Sequence, residues 1–219
     1  MDSRIIELIS DTTIKIIQAA IHYTIPMTLI SFFFAFVIAF IVAIIQITRV
    51  KVITQITSVY IKLFRGTPMM VQLFIVFFGL PKIGIVLDAF VASVIVFSLN
   101  VGAYSAETIR AAILSIPKGQ WEAGTALGMS YVLLLRRVIF PQAMRVAIPS
   151  LFNNFIMLVK DTSLASSITL PEMLMVTQTA VATSFEPLLL YALVALFYLI
   201  ICTILDWIQK LIEKKLRLV

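Results

Sequence analysis

The sequence predicts an all-α protein built into a membrane, and three observations carry that reading. Hydrophobic residues make up 61% of the 219-residue chain and the mean hydropathy is +1.08, whereas soluble domains are roughly half apolar. Uncharged apolar runs recur along the chain, several near the length of about 20 residues that a helix needs to cross hydrocarbon. The charged residues fall between and after these runs. A single membrane domain spanning residues 1–219 follows, with about five transmembrane helices.

The same composition excludes several classes of function. A net charge of +6 is compatible with nucleic-acid binding, but the basic residues form no single patch with interleaved aromatics, so no nucleic-acid partner is expected. Cys202 is the only cysteine, which rules out an intrachain disulfide or a cysteine-rich metal site. The beginning of the chain lacks the basic stretch and small-residue cleavage site of a secretory signal, so no removable segment is expected. His22 is the only histidine, and neither a Ser-His-Asp arrangement nor metal-ligand spacing can be assembled around it.

In chain order, residues 1–22 are a lead-in in which Ile5, Ile6, Ile9, Ile16 and Ile17 alternate with charge. It reads either as a helix lying on the bilayer surface or as a frayed polar entry to the first span. Residues 23–47 carry no charge and form that span. Ala35, Ala39 and Ala43 recur every fourth residue along it, a stripe suited to close helix packing. The second span, residues 60–80, takes in Lys62 and Arg65, whose long stems reach the headgroups. Arg65-Gly66-Thr67-Pro68 interrupts or bends it near one end, since Pro removes a helix donor.

The third span covers residues 85–109. Ser93, Phe97, Asn100, Tyr104 and Glu107 share one of its faces, too polar for lipid, and Arg110 stands three residues from Glu107 and is placed to pair with it. The fourth, residues 146–168, carries Ser150, Asn154, Met157 and Asp161 in one stripe with Asn153 and Lys160 beside it. An acid inside a membrane costs a few kcal/mol or more when unpaired, so Asp161 marks either a solute path or a structural ion pair. Residues 169–187 read as an outer loop with a short helix. Residues 188–207 form the fifth span, ending at Trp207 as an interface anchor before a basic tail.

The long polar interval is residues 115–141. Pro117 suits a first helical turn, Gly128 a helix end and Ser130 the cap of a second helix. Glu122, Ala123, Gly124 and Gly128 give the first helix one acid and a face nearly free of side chains, suited to docking. This interval resembles the EAA loop of ABC-type importer permeases. The family pattern of Glu-Ala-Ala, three residues, Gly, nine residues and Ile-x-Leu-Pro corresponds to Glu122-Ala123-Gly124, Gly128 and Val138-Ile139-Phe140-Pro141. Arg65-Gly66-Thr67-Pro68 with the following MMVQLFIVFFGLP, and Lys160-Asp161-Thr162-Ser163-Leu164, are similar to segments of the polar amino acid branch of that family.

The resemblance implies a type I importer transmembrane domain in a bacterial cell membrane. Its EAA loop is a cytoplasmic coupling element, with Glu122, Ala123, Gly124, Leu127 and Gly128 transmitting the motion of a separate ATPase. It implies an ATPase dimer that binds ATP and Mg, a second permease copy or paralogue, and an outer solute-binding protein; the chain itself has no phosphate loop and no cofactor. With the EAA loop inside, Arg49, Lys51, Lys62, Arg65 and most other basic residues are cytoplasmic. Arg4, Lys15 and Lys82 remain outside, giving an outer N-terminus and a cytoplasmic C-terminus. Gln72, Asn100, Tyr104, Asn153, Asn154, Met157 and Asp161 are the candidate path for a polar amino acid or derivative, cystine included. The alternatives are an ion- or proton-coupled transporter relaying through Asp161 or Glu107, which leaves residues 122–128 without a role, and a structural anchor, which leaves the polar faces without one.

Overall fold

The computed structural model describes residues 3–48 and 51–217. Met1, Asp2 and Arg49, which belong to the lead-in and to the inner basic set, lie outside the described residues, as does the side chain of Arg217. Helix α1 (Ser3–Ala19) runs through a π-helical turn (Ala20–Thr24) into α2 (Ile25–Thr48). Then come α3 (Lys51–Gly66), α4 (Met69–Phe74) and α5 (Ala89–Leu114). The polar interval holds α6 (Lys118–Ala126) and α7 (Tyr131–Leu134), and α8 (Phe140–Asp161), α9 (Met173–Ser184) and α10 (Pro187–Arg217) complete the chain.

The lead-in is neither a surface helix nor frayed. It is the first part of a continuous helical run, Ser3–Thr48, of 46 residues, about 69 Å long. Thr12, Ile16, Ala19 and Ala20 are buried where α1 meets α9 and α10, while Ile6 and Ile17 are exposed. The isoleucines therefore do not share one buried side: Ile16 is buried with Thr12, Ala19 and Ala20, while Ile6 and Ile17 face outward.

Among the described residues, three helical segments are long and apolar enough to cross a membrane: Ser3–Thr48, Ala89–Leu114 and Pro187–Leu216. The expected second span is not a single rod. Helix α3 ends at Gly66, and the chain turns by 107° before continuing through Met69–Ile83. Pro68 has no N–H to continue the ladder and drives the preceding residue out of the helical region. The third span starts later than expected, with Asp88 capping α5 through the amides of Phe90 and Val91 at 2.9 and 3.0 Å. The fourth starts earlier: Pro141 lies in the first turn of α8, where proline is tolerated. Beyond Asp161 it tightens into a 3₁₀ segment, Thr162–Ile168. α8 has 22 residues, about 33 Å, but its polar stripe leaves it outside the set of helices apolar enough to cross.

Residues 169–187 are not a simple outer loop. Leu170, Met173 and Thr177 are buried, and α9 packs back against α1 and α10. Glu172, fully buried, caps α9: its carboxylate accepts from the amides of Leu174 and Met175 at 2.9 and 2.8 Å and from the Tyr198 hydroxyl at 2.9 Å.

The alanine stripe performs the packing expected of it. Ala35, Ala39 and Ala43 are all fully buried in the interface between α2 and α5, the most extensive helix pair in the protein. A Cβ at Gly102 would meet the Ala35 carbonyl oxygen at 3.3 Å and Ile38 at 3.1 Å, so glycine sets how closely the two backbones approach. One apolar cluster joins this pair to α7 and α8 around Ile113, Leu134 and Ile139. A second joins it to α4 and the 3₁₀ segment around Leu73, Phe97 and Ile168.

The bend after α3 is held by side chains. The last carbonyls of a helix have no partner within it. Here Thr67 Oγ1 donates to the Leu63 carbonyl at 2.8 Å, and Gln72 Nε2 and Asn100 Nδ2 each donate to the Phe64 carbonyl at 3.0 Å. Asn100 Nδ2 also donates to Gln72 Oε1 at 3.0 Å, closing the clasp between α4 and α5. Leucine at Gln72 leaves these buried groups unpaired, a cost of about 1–3 kcal/mol. A clear fall in the thermal midpoint of the purified protein is expected for Gln72→Leu, and none for Val71→Leu on the exposed side of the same helix.

Candidate solute site and coupling surface

The polar stripes of α5 and α8 face one another across a groove whose rim is the bend between α3 and α4. Two cavities lie along it. One, of about 290 Å³, is lined by Thr67, Pro68, Met69, Asn100, Val101, Tyr104, Asn154, Met157 and Asp161. The other, of about 480 Å³, is lined by Arg65, Tyr104, Glu107, Ser150 and Asn154 among others, and extends to Ser115 at the start of the polar interval.

Five of the seven residues read from the sequence as a path line the first cavity: Asn100, Tyr104, Asn154, Met157 and Asp161. Gln72 and Asn153 do not. Gln72 is buried in the clasp, its amide spent on Phe64, Thr67 and Asn100, and Asn153 is exposed beside the groove. Asn154 Nδ2 donates to Ser105 Oγ at 3.1 Å, which fixes its orientation on the wall. Asp161 is half-buried, and among the described residues no hydrogen bond or ion pair engages its carboxylate. Glu107 is different. It forms a two-pronged ion pair with Arg110, with Nε to Oε2 at 2.9 Å. Bidentate pairing of this kind fixes both groups, which removes Glu107 as a free ion relay.

Thr67, Pro68, Met69 and Val101 are not among the path residues the sequence suggests, because the first three enter the wall only through the 107° turn. Gly66-Thr67-Pro68 signals the break but not its angle. Glu172 was read as a loop residue; its position before an apolar run is the signal of a helix cap.

At the other end of the groove, α6 and α7 form the helix pair read from the sequence. Gly128 adopts φ +72°, and its amide donates to the Thr125 carbonyl at 2.9 Å while Met129 N–H donates to the Gly124 carbonyl at 3.1 Å. This is a Schellman ending, which needs a left-handed residue. Ser130 Oγ accepts from the Leu133 amide at 3.4 Å and opens α7. Pro117 precedes the first helical residue instead of occupying it.

The smooth face expected for docking is smaller than the sequence suggests. Glu122, Ala123, Leu127 and Gly128 are exposed, Leu127 to 81%, but Gly124 is buried and turned inward. A Cβ there would lie 2.2 Å from Leu134 Cδ1 and 3.1 Å from its Cγ. Gly124 therefore lets α7 close on α6 and is itself buried.

Residues 35–218 match the model of the family described as binding-protein-dependent transport system inner membrane component. The chain belongs to that family. A relative, the L-cystine transport system permease protein TcyB of Bacillus subtilis, is 46% identical over 96% of this chain and 90% of its own length. The glutamine transport system permease protein GlnP of Escherichia coli K12 is 40% identical over 75% of this chain and 76% of its own. A crystal structure of an amino acid ABC transporter with histidines superposes with a TM-score of 0.90 at 29% identity, covering 94% of this chain and 96% of that one. The inward-facing MetNI methionine transporter has the same fold, with a TM-score of 0.76 at 18% identity. The chain is thus the membrane-embedded permease subunit of an ABC importer, and ATP hydrolysis belongs to separate ATPase subunits.

Proposed function

We propose that this importer carries a polar amino acid, and that its solute passes through the groove between α5 and α8. The carrying observation is the first cavity: a wall of Asn100, Tyr104, Asn154 and Met157 with one unpaired carboxylate, Asp161, in its lining. A carboxylate in a low-dielectric recess attracts an ammonium group strongly, and the amides and hydroxyl supply hydrogen bonds to the rest of a zwitterion. Met157 adds a polarizable thioether, which together with the likeness to TcyB makes cystine or a related sulfur-containing amino acid the preferred solute. Glutamine is the second candidate, from the likeness to GlnP.

Partner subunits complete the machine in this reading. An ATPase dimer holding ATP and Mg docks on the exposed residues of the helix pair, Glu122, Ala123 and Leu127. Gly124 and Gly128 set the shape of that pair. A second copy of the chain, or a paralogue, forms the other half of the membrane unit, and an outer solute-binding protein delivers the amino acid. Charge supports an orientation with the N-terminus outside and the C-terminus in the cytoplasm. The Arg4 guanidinium donates to the Ser184 carbonyl at 3.4 Å, at the α9–α10 turn, whereas Gln209 near the end of α10 reaches the Pro149 carbonyl in the first half of α8. These contacts support opposite ends for Arg4 and the tail carrying Lys210, Lys214 and Lys215.

The docking half of the proposal is tested by charge at its most exposed apolar residue. Leu127→Asp is expected to cut recovery of the ATPase with the purified permease by about tenfold, the equivalent of about 1.4 kcal/mol, with the thermal midpoint of the isolated permease unchanged. Full recovery of ATPase together with normal uptake would place docking elsewhere.

A further inference from the structure

Two residues belong to both cavities, Tyr104 and Asn154, and they stand on facing helices. Asn154 is anchored to Ser105 at 3.1 Å. Tyr104 is held more loosely, and by Arg65 alone among the side-chain contacts: the Arg65 guanidinium carbon lies 5.2 Å from the ring centroid, and the hydroxyl donates to the Arg65 carbonyl at the long distance of 3.5 Å. A guanidinium over an aromatic face at this distance is an attractive cation–π contact, weak enough to break without a large barrier. Among the described residues Arg65 has no carboxylate at ion-pair distance, so Tyr104 is the partner that orients it. Arg65 also sits one residue before the end of α3, next to the 107° bend. Any rotation of α3 against α4 moves its guanidinium relative to a ring carried on α5.

From this juxtaposition we infer that Tyr104, 42% exposed in the groove, is a gating side chain, its ring latched by Arg65 where the solute cavity meets an exit chamber lined by Arg65, Glu107 and Ser150. The inference rests on the proposed solute path. In the latched state the ring closes the inner end of the cavity. Movement of α3 withdraws the guanidinium, the ring is free to change rotamer, and the two cavities join. The ring and the cation, not the hydroxyl, do the closing.

The test uses the assembled complex in sealed inside-out vesicles, with Cys202→Ser in the permease and a cysteine-free ATPase. Single cysteines at Ser150→Cys, in the exit chamber, and Met157→Cys, in the solute cavity, are exposed without nucleotide to a membrane-impermeant thiol reagent on the side of the 115–141 loop. The expected result is rapid modification at 150 and protection at 157. Tyr104→Ala should accelerate modification at 157 about tenfold and leave 150 unchanged; Tyr104→Phe should retain protection, and Arg65→Gln should lose most of it. Equal rates at 157 with Tyr, Phe and Ala at 104 would overturn the inference. If Tyr104→Ala no longer retains the ATPase, Tyr104→Leu and Arg65→Gln decide in its place, and unchanged rates in both would overturn it. Adding cystine or glutamine separates this from the solute reading: failure of either to slow modification at 157 in the Tyr104→Ala background counts against the solute site, while dependence on residue 104 persists only if the gate is real.

Discussion

Asp161→Asn is expected to lower ATP-driven uptake by about tenfold to a hundredfold while the complex still assembles. The carboxylate lines the proposed solute cavity and has no protein partner among the described residues, so removing its charge breaks no internal ion pair and leaves the fold alone. Its adjacent cation, Lys160, is exposed and leaves α8 in a different direction. What is lost is one charge-assisted contact to the solute's ammonium, worth about 1.5–3 kcal/mol, and each 1.4 kcal/mol is about tenfold. Transport assays with labelled amino acid, paired with measured ATPase recovery, distinguish this from misassembly. If Asp161 were instead a structural partner, the same variant would lower the thermal midpoint and the yield of complex.

The second large effect belongs to Gly124. Gly124→Val is expected to abolish coupled uptake, because its Cβ alone would stand 2.2 Å from Leu134 Cδ1 and its two methyl groups leave Leu134 no room. Overpacking of this kind costs about 1–3 kcal/mol or separates the elements that are forced together. Here the elements are α6 and α7, so the docking surface is deformed while the membrane core remains. Gly124→Ala adds that Cβ without the two further methyl groups, so Leu134 has to shift less and the cost should be smaller, and Leu134→Val should recover part of the loss. Uptake and permease-stimulated ATP hydrolysis read both changes; normal coupling in Gly124→Val would remove the helix pair from the transmission route. Substitution at Gly128 acts differently, since nothing lies within 4 Å of a Cβ there and the strain comes from φ +72°.

The legible parts of the protein were those set by periodicity and capping. The alanine stripe of α2, the stripe Ser150, Asn154, Met157 and Asp161 on α8, and the Gly128 and Ser130 boundaries of the helix pair all depend on spacing along one helix, which a sequence displays directly. What could not be read depends on where two distant segments meet. Gln72 looks like a path residue because it is polar in an apolar span, but the angle at Pro68 turns its amide onto the Phe64 carbonyl at the open end of α3 and onto Asn100, which does line the cavity. Gly124 looks like a docking residue because it is small, and only the position of Leu134 reveals that the space is already used. The lead-in was misread for a related reason: α9 folds back to cover Ile16 and Ala20, and a helix that acquires tertiary partners needs no lipid to bury its apolar side.

The most direct measurement of the account is uptake of labelled cystine and glutamine by proteoliposomes holding the permease, its ATPase and the solute-binding protein, with ATP supplied only on the side of the 115–141 loop. Accumulation is expected to require ATP, to persist when ion gradients are collapsed, and to fall sharply in Asp161→Asn. Accumulation driven by a proton or sodium gradient without ATP, or full activity of Asp161→Asn, would contradict it.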